Sequence, residues 1–425
     1  MGPSDPVVDL LQIGARRHYA VPLMMHQLGL LRQFHTDVYV GSGSWLCLPA
    51  RVLRHLGVKG AIRRMSDRLS SLPGSKVHAH NLLGLRASRR LRAARDTMAR
   101  MHVHHWLSRE VNAAYLRSLR VPASVTIGFR GSDSLFEGLR GRSKCLLDQF
   151  DGGIHEVMTV RSEQARHRAW LTEDPDWVSC ERDGKPWWLD IEGPRLRREW
   201  ELADHIVCNS EWTRSCLVAE GVPVSKCTVI PLAYDGHSAG PGPRPKRSSR
   251  GPLRVAFLGT LTMRKGAHLL CEAARLASQE VAIEVVCAGA TESNFSVTKL
   301  REYEPQVRHL GVIPRSQVPE FLRGMDVLAL PSVSEGFGIV QLEAMGQGLP
   351  VIASERTGEV VEDGVNGLRV RAGDVESLAQ AMVRLAKDRE LLGALSAQAP
   401  TTLAKFSMDV VAAQWDRLVR TLATG

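Results

Sequence analysis

The chain has 425 residues, 44% of them apolar and 24% charged, a length that suggests two or three domains, each able to bury its own core. This excludes a disordered, collagen-like or coiled-coil protein. The net charge of +10 is unevenly placed: residues 1–150 hold 23 Lys or Arg against 9 Asp or Glu, and the rest hold 32 against 36, so the excess that would attract anionic partners is N-terminal. The eight cysteines (Cys47, Cys145, Cys180, Cys208, Cys216, Cys227, Cys271, Cys287) show no C-x-x-C and no nearby paired histidines, so neither a zinc site nor a disulfide framework is readable. No apolar run reaches the ~18 residues of a membrane span, and Pro3, Asp5 and Pro6 stand where a signal peptide would be basic and then apolar. The expectation is a cytoplasmic protein that can rest on the inner face of a membrane.

In chain order, Val7 to Ile13 reads as a buried strand, Gly14 as a turn, Val21 to Leu31 as a helix and the stretch near Asp37 to Val40 as a second strand. The region Arg51 to Arg120 carries 16 Lys or Arg against Asp67, Asp96 and Glu110. Within it Leu91, Ala94, Met98 and Met101 recur at helical spacing among Arg89, Arg90, Arg92, Arg95 and Arg100, which predicts a basic amphipathic helix. Such a face is either simply solvated or docks on anionic membrane; nucleic acid is not expected, because few aromatics are available to stack on bases. Further strands are predicted at Ser124 to Gly128, Lys144 to Leu147, His205 to Cys208 and Cys227 to Pro231.

Residues 236–251 mix Gly, Pro, Ser and basic residues and read as a linker between a domain over 1–235 and one over 252–405. Beyond it come a strand (Arg254 to Leu258), a helix (Gly266 to Ser278), a strand (Ile283 to Ala288), a helix (Val318 to Gly324) and a strand (Val327 to Leu330). A helix (Ile339 to Met345), a strand (Val351 to Ala353) and a helix (Val375 to Lys387) follow. Alternation at these lengths predicts an α/β fold of two doubly wound parallel sheets, with ligands at the carboxyl ends of the strands, in a central cleft.

The segment Pro331 to Ser354 is the most informative. A strand ends, Glu335 follows on a small-residue loop, and Gly336, Phe337 and Gly338 open a helix that carries Glu343 and closes at Gly346 and Gly348. Amides at a helix start lack internal partners and can hold phosphate oxygens, whereas carboxylates suit sugar hydroxyls. A carboxylate beside a phosphate site needs a compensating cation; Arg264 and Lys265, on the loop after the strand Arg254 to Leu258, supply it.

The Glu-x7-Glu spacing in EGFGIVQLEAMGQGLPVIAS (335–354), with GTLTMRKG (259–266) and HLGVIPRSQVPEFLRGMDVLALPS (309–332), resembles the donor domain of the retaining family 4 glycosyltransferases of GT-B fold (glycosyl transferases group 1). HIVCNSEWTRSCLVAEGVPVSKCTVIPLAYD (205–235) extends the resemblance, which covers roughly 205–395. It implies a hexosyltransferase that takes a nucleotide diphosphate sugar, UDP- or GDP-linked, and glycosylates a polysaccharide, lipid-linked or small-molecule acceptor with retention. No cofactor and no metal are expected, because protein cations and a helix start serve the leaving group. Glu335 would contact the transferred sugar, Glu343 the ribose, and Arg264 and Lys265 the departing diphosphate, with Gly259, Thr260, Gly336 and the amides of Phe337, Gly338 and Ile339 beside it. Gly311, Val312 and Ile313 would lie beside the base.

The sequence also departs from the family. Thr260 stands where many relatives have Arg, and the first N-terminal loop, Gly14 with Arg16 and His18, lacks the usual glycine pair. Within DQFDGGIHE (148–156), His155 is the candidate for a histidine that reaches the donor sugar across the cleft, with Asp151 a weaker one. By resemblance the terminal helix 406–422, with Val410, Val411, Trp415, Leu418 and Leu422 on one side, returns to the first domain. Two alternatives are a nucleotide-sugar 2-epimerase, which has no acceptor, and a non-catalytic peripheral membrane protein with a vestigial donor fold.

Overall fold

The computed structural model describes residues 5–14, 19–39, 72–94, 97–172, 181–182, 185–186, 189–234, 236 and 251–424. Two parallel sheets organise it. The first contains β1 (Val8–Leu11), β2 (Leu31–Thr36), β3 (Val77–Ala79), β4 (Val125–Gly128), β5 (Lys144–Gln149), β8 (His205–Cys208) and β9 (Cys227–Val229), in the order β3-β2-β1-β4-β5-β8-β9. The two-residue strands β6 (Glu181–Arg182) and β7 (Lys185–Pro186) form a separate antiparallel pair. The second sheet runs β12 (Val307–His309), β11 (Ile283–Ala288), β10 (Leu253–Leu258), β13 (Val327–Leu330), β14 (Val351–Ser354), β15 (Gly367–Val370). Both have the doubly wound strand order expected of the two sheets of a GT-B fold.

Helices cover both faces of each sheet, which is why the strands are apolar on both sides. Along β10, Leu253, Val255 and Phe257 enter one core and Ala256 the other; along β5, Leu146 enters one and Cys145 and Leu147 the other. The first domain carries α1 (Ala20–Gln27), α2 (Asn81–Ala93), α3 (Thr97–Ser118), α4 (Asp133–Leu139), α5 (Gly153–Arg166), α6 (Leu189–Leu202) and α7 (Glu211–Ala219). The second carries α8 (Ala267–Ala277), α9 (Val297–Arg301), α10 (Val318–Arg323), α11 (Val340–Gly346), α12 (Val375–Lys387) and α13 (Arg389–Gln398), before the terminal α14 (Met408–Thr424).

Three sequence expectations are corrected. The first helix stops at Gln27 rather than Leu31, because Gly29 (φ +75°) closes it with Gly29 N donating to His26 O and Leu30 N to Met25 O. The second strand is therefore Leu31–Thr36 and ends before Asp37; its polar residues concealed it, since Arg32 and Gln33 donate to Asp9, fully buried in β1. The basic helix drawn through Leu91 to Met101 is broken at Ala94, which is extended (ψ 120°). Most of the linker 236–251, together with Arg16, His18 and residues 51–71, lies outside the described residues.

The chain crosses between domains more than once. On α14, Val411, Trp415 and Val419 bury into the first-domain core with Val8, Leu10 and Ile127, while Val410 is 43% exposed. Tyr234 N donates to Phe406 O (2.8 Å) at the crossing. Trp170, just beyond α5, is buried in the core of the second domain, stacked on Tyr303 with ring centroids 5.3 Å apart.

Candidate active site

In the second sheet β10 lies between β11 and β13, so the chain leaves it in opposite directions and a crevice opens at their carboxyl ends. Two loops form its floor: 259–266 after β10 and 331–339 after β13. They are stitched by Val333 N donating to Arg264 O (2.8 Å). They also pack tightly: Gly266 has φ +70°, and a Cβ there would stand 2.0 Å from Pro331 O, so only glycine suits this position.

This packing delivers both cations to Glu335. Lys265 Nζ donates to Glu335 Oε2 at 2.5 Å, and Arg264 Nη1 lies 3.3 Å from the same oxygen while donating to Ser334 O at 3.0 Å. Burial pushes the Glu335 carboxyl up, but Lys265 and Arg264 outweigh it and hold it below the usual carboxylate range. The site therefore holds an ionised carboxylate beneath two cations at the crevice floor.

The first domain faces it with α5. Glu156 Oε1 stands 3.8 Å from Arg264 Nη1, and Glu156 Oε2 accepts from Gly152 N at 2.9 Å. Burial, with Asp151 adding to it, pushes this carboxyl up despite Arg264. His155 is half-buried, its ring edge-on to Trp212 with centroids 6.0 Å apart. Trp212, on α7, donates Nε1–H to Ser334 Oγ across the cleft (2.8 Å) and carries the Arg356 guanidinium 4.9 Å from its ring. Beside it the amide of Glu211 meets both carboxylate oxygens of Glu359 at 3.1 Å.

Glu343 is half-buried in the first turn of α11. The Phe337 side chain is 2% exposed and packs in the core against Phe406, so only its backbone reaches the site. The amides of Phe337, Gly338 (φ +75°) and Ile339 donate to nothing among the described residues. Gly259 N donates to Ala288 O (2.9 Å), and Thr260 beside it is exposed. Gly311 O accepts from Gly289 N (2.8 Å), which holds Val312, exposed, and Ile313, half-buried, at the edge of the same sheet end. In the first domain Gly14 N donates to Asp37 Oδ1 (2.8 Å) at the end of β1. Sequence reasoning assigned no role to Glu156, Trp212, Ser334 or Glu359, although the first three lie inside segments it singled out (148–156, 205–235 and 331–354).

Residues 252–388 match the family described as glycosyl transferases group 1. The D-inositol 3-phosphate glycosyltransferase of Corynebacterium urealyticum is 32% identical over 183 residues, 40% of this chain and 43% of that protein. The enzyme of the same name from Xylanimonas cellulosilytica is 29% identical over 346 residues, 70% and 80% of the two chains. Among solved structures, Anabaena Alr3699/HepE in complex with UDP-glucose superposes with a TM-score of 0.59 at 16% identity, covering 98% of this chain and 100% of that one. In several of the curated relatives it matches, the chain spans about half of their length.

Proposed function

We propose, for a chain that belongs through its C-terminal domain to the glycosyl transferases of group 1, that it moves a hexose-type sugar from a nucleotide diphosphate sugar to an acceptor hydroxyl, with retention at the anomeric carbon. The observation that carries this reading is Glu335, half-buried at the crevice floor with Lys265 Nζ at 2.5 Å and Arg264 Nη1 at 3.3 Å. An ionised carboxylate accepts sugar hydroxyls. The two cations beside it favour the negative charge that grows on a departing diphosphate, so no metal is assigned to the leaving group. Across the cleft, His155 and Glu156 are the first-domain groups that meet the sugar side. The acceptor enters over the first sheet, and the basic α2 brings a lipid-linked acceptor's membrane within reach.

The HepE structure contains UDP-glucose, which makes UDP-sugars the first donors to assay and GDP-sugars the second. The test is acceptor-dependent release of the nucleoside diphosphate, with and without added magnesium. Acceptor-dependent release excludes the 2-epimerase alternative, and Glu335→Gln should lower it about 100-fold. Wild-type rates in both Glu335→Gln and Lys265→Ala would sink the residue assignment, and absence of nucleotide binding would favour the vestigial-donor alternative.

A further inference from the structure

Two turns beyond Glu156, α5 meets the second domain again. Glu163 lies in the last turn of α5, and His167, the residue that closes the helix, donates its amide to Glu163 O (3.1 Å), which brings the two side chains together; opposite them α8 presents His268 in its first turn. Glu163 Oε1 lies 2.9 Å from His268 Nε2 and 3.4 Å from His167 Nε2. We propose that Glu163, His167 and His268 form a site for a divalent transition-metal ion, zinc by its donor set, which pins the first domain to the second behind the cleft.

The spacing supports an ion. Ligands held 2.0–2.1 Å from a tetrahedral zinc stand about 3.3 Å from one another; the two separations from Glu163 Oε1, 2.9 and 3.4 Å, are already near that value, and all three atoms lie within 4.8 Å of each other. Their protonation states also suit. Burial drives the His268 imidazole towards its neutral form despite Glu163. Burial pushes the Glu163 carboxyl up, but His268, His167 and Arg166 outweigh it and keep it ionised. Neutral imidazole and carboxylate are the ligating forms. The second carboxylate oxygen is steadied by Arg166 Nη1 at 3.5 Å, the kind of outer contact that orients a ligand.

A second observation concerns His268 itself. Its side chain is fully buried beneath Trp170, with ring centroids 6.3 Å apart, and its Nδ1 has no hydrogen-bond partner among the described residues. Nε2 is thus the only ring nitrogen of His268 that meets a polar group among the described residues, and the group it meets is Glu163. The His167 side chain, 31% exposed, gives the ion an entry path and leaves water as the fourth ligand. Imidazole nitrogen with one carboxylate oxygen selects zinc-like ions over calcium or magnesium. This inference is independent of the sugar chemistry.

The test uses the full chain, stripped with a chelator and desalted, then titrated with Zn2+ by calorimetry and with Co2+ by visible absorption. One equivalent of Zn2+ should bind and raise the melting temperature, and Co2+ should show the bands of a four-coordinate site. His268→Gln and Glu163→Gln should each weaken zinc at least about tenfold, while His102→Ala, on an exposed helix position, should not. His167→Ala, on the solvent side, keeps the test decisive if the buried variants fail to fold. Absence of stoichiometric zinc, or equal binding by the wild type, His167→Ala and His268→Gln, overturns the site and leaves a plain hydrogen-bonded trio.

Discussion

The backbone of Gly336, in the second domain, approaches the carbonyl of Phe150, in the first, so closely that a Cβ on Gly336 would stand 2.1 Å from that oxygen and 2.9 Å from Asn209 Nδ2. Asn209 Nδ2 itself donates to Phe150 O at 2.9 Å, so the contact is fixed from both sides. It sits one residue from Glu335 and six from Glu156. The distance between the two halves of the site is therefore set by a residue without a side chain.

Gly336→Ala should push the loop away from Phe150 while leaving both cores intact. A displacement near 1 Å at reacting groups costs about 100-fold. The expected outcome is a turnover loss of that order with an unchanged near-UV dichroism spectrum. Full activity in this variant would mean that the Phe150 contact does not position the site.

Lys265→Ala should destabilise the chain by about 2–3 kcal/mol, less than the ~3–5 kcal/mol typical of a broken buried pair, because Arg264 remains 3.3 Å from Glu335. The sign of the pH dependence follows from the lowered carboxyl. The pair's contribution is present above the ordinary carboxylate range and is lost as pH falls through the lowered value. The variant's deficit should then be largest at neutral pH and shrink on acidification, which denaturant titrations at several pH values will measure; a deficit flat with pH would assign it to packing.

The second sheet was largely legible because its apolar runs are bounded by Gly and Pro and carry few polar residues. Arg264, Lys265 and Glu335 were legible together because a parallel sheet brings the ends of adjacent strands to one edge. By contrast β2 hides behind Arg32, Gln33 and His35, whose polarity makes sense only once the buried Asp9 is seen beside them. The break at Ala94 has no Gly or Pro to announce it. Glu156, Trp212 and Trp170 were out of reach for another reason: their partners lie in the other domain, and no local pattern encodes how two sheets face each other.

Glu199 gives a prediction within the first domain. Burial pushes its carboxyl up to about 8, against the hydrogen bond from the Ser132 amide, with Asp133 adding to the rise and Arg130 opposing it. The folded chain then holds a proton that the unfolded chain releases above about 4.5, so stability should fall as pH rises from about 4.5 to about 8 and level off beyond. Glu199→Gln keeps an oxygen for the Ser132 amide and should flatten that slope. Urea titrations at pH 5, 6.5 and 8 will show it, and an unchanged slope would place the titration elsewhere.

The outer face of α2 is both apolar and basic. Gly84 and Ala87 are its buried residues, a Cβ on Gly84 being only 2.3 Å from Val38 Cγ2, which turns Leu82 (68% exposed) and Leu85 (46%) outward. Arg86, Arg89 and Arg92 are exposed with them, and the helix contains no acidic residue. Apolar side chains flanked by arginine gain from both acyl burial and anionic headgroups, each basic residue adding about 1 kcal/mol near the surface. Vesicles with anionic lipid should therefore sediment the chain at low salt, neutral vesicles should not, and Leu82→Ser with Leu85→Ser should lower the bound fraction severalfold. Arg86→Glu with Arg89→Glu should lower it further and remove its salt dependence. Equal sedimentation with neutral and anionic vesicles would leave α2 as an ordinary solvated face.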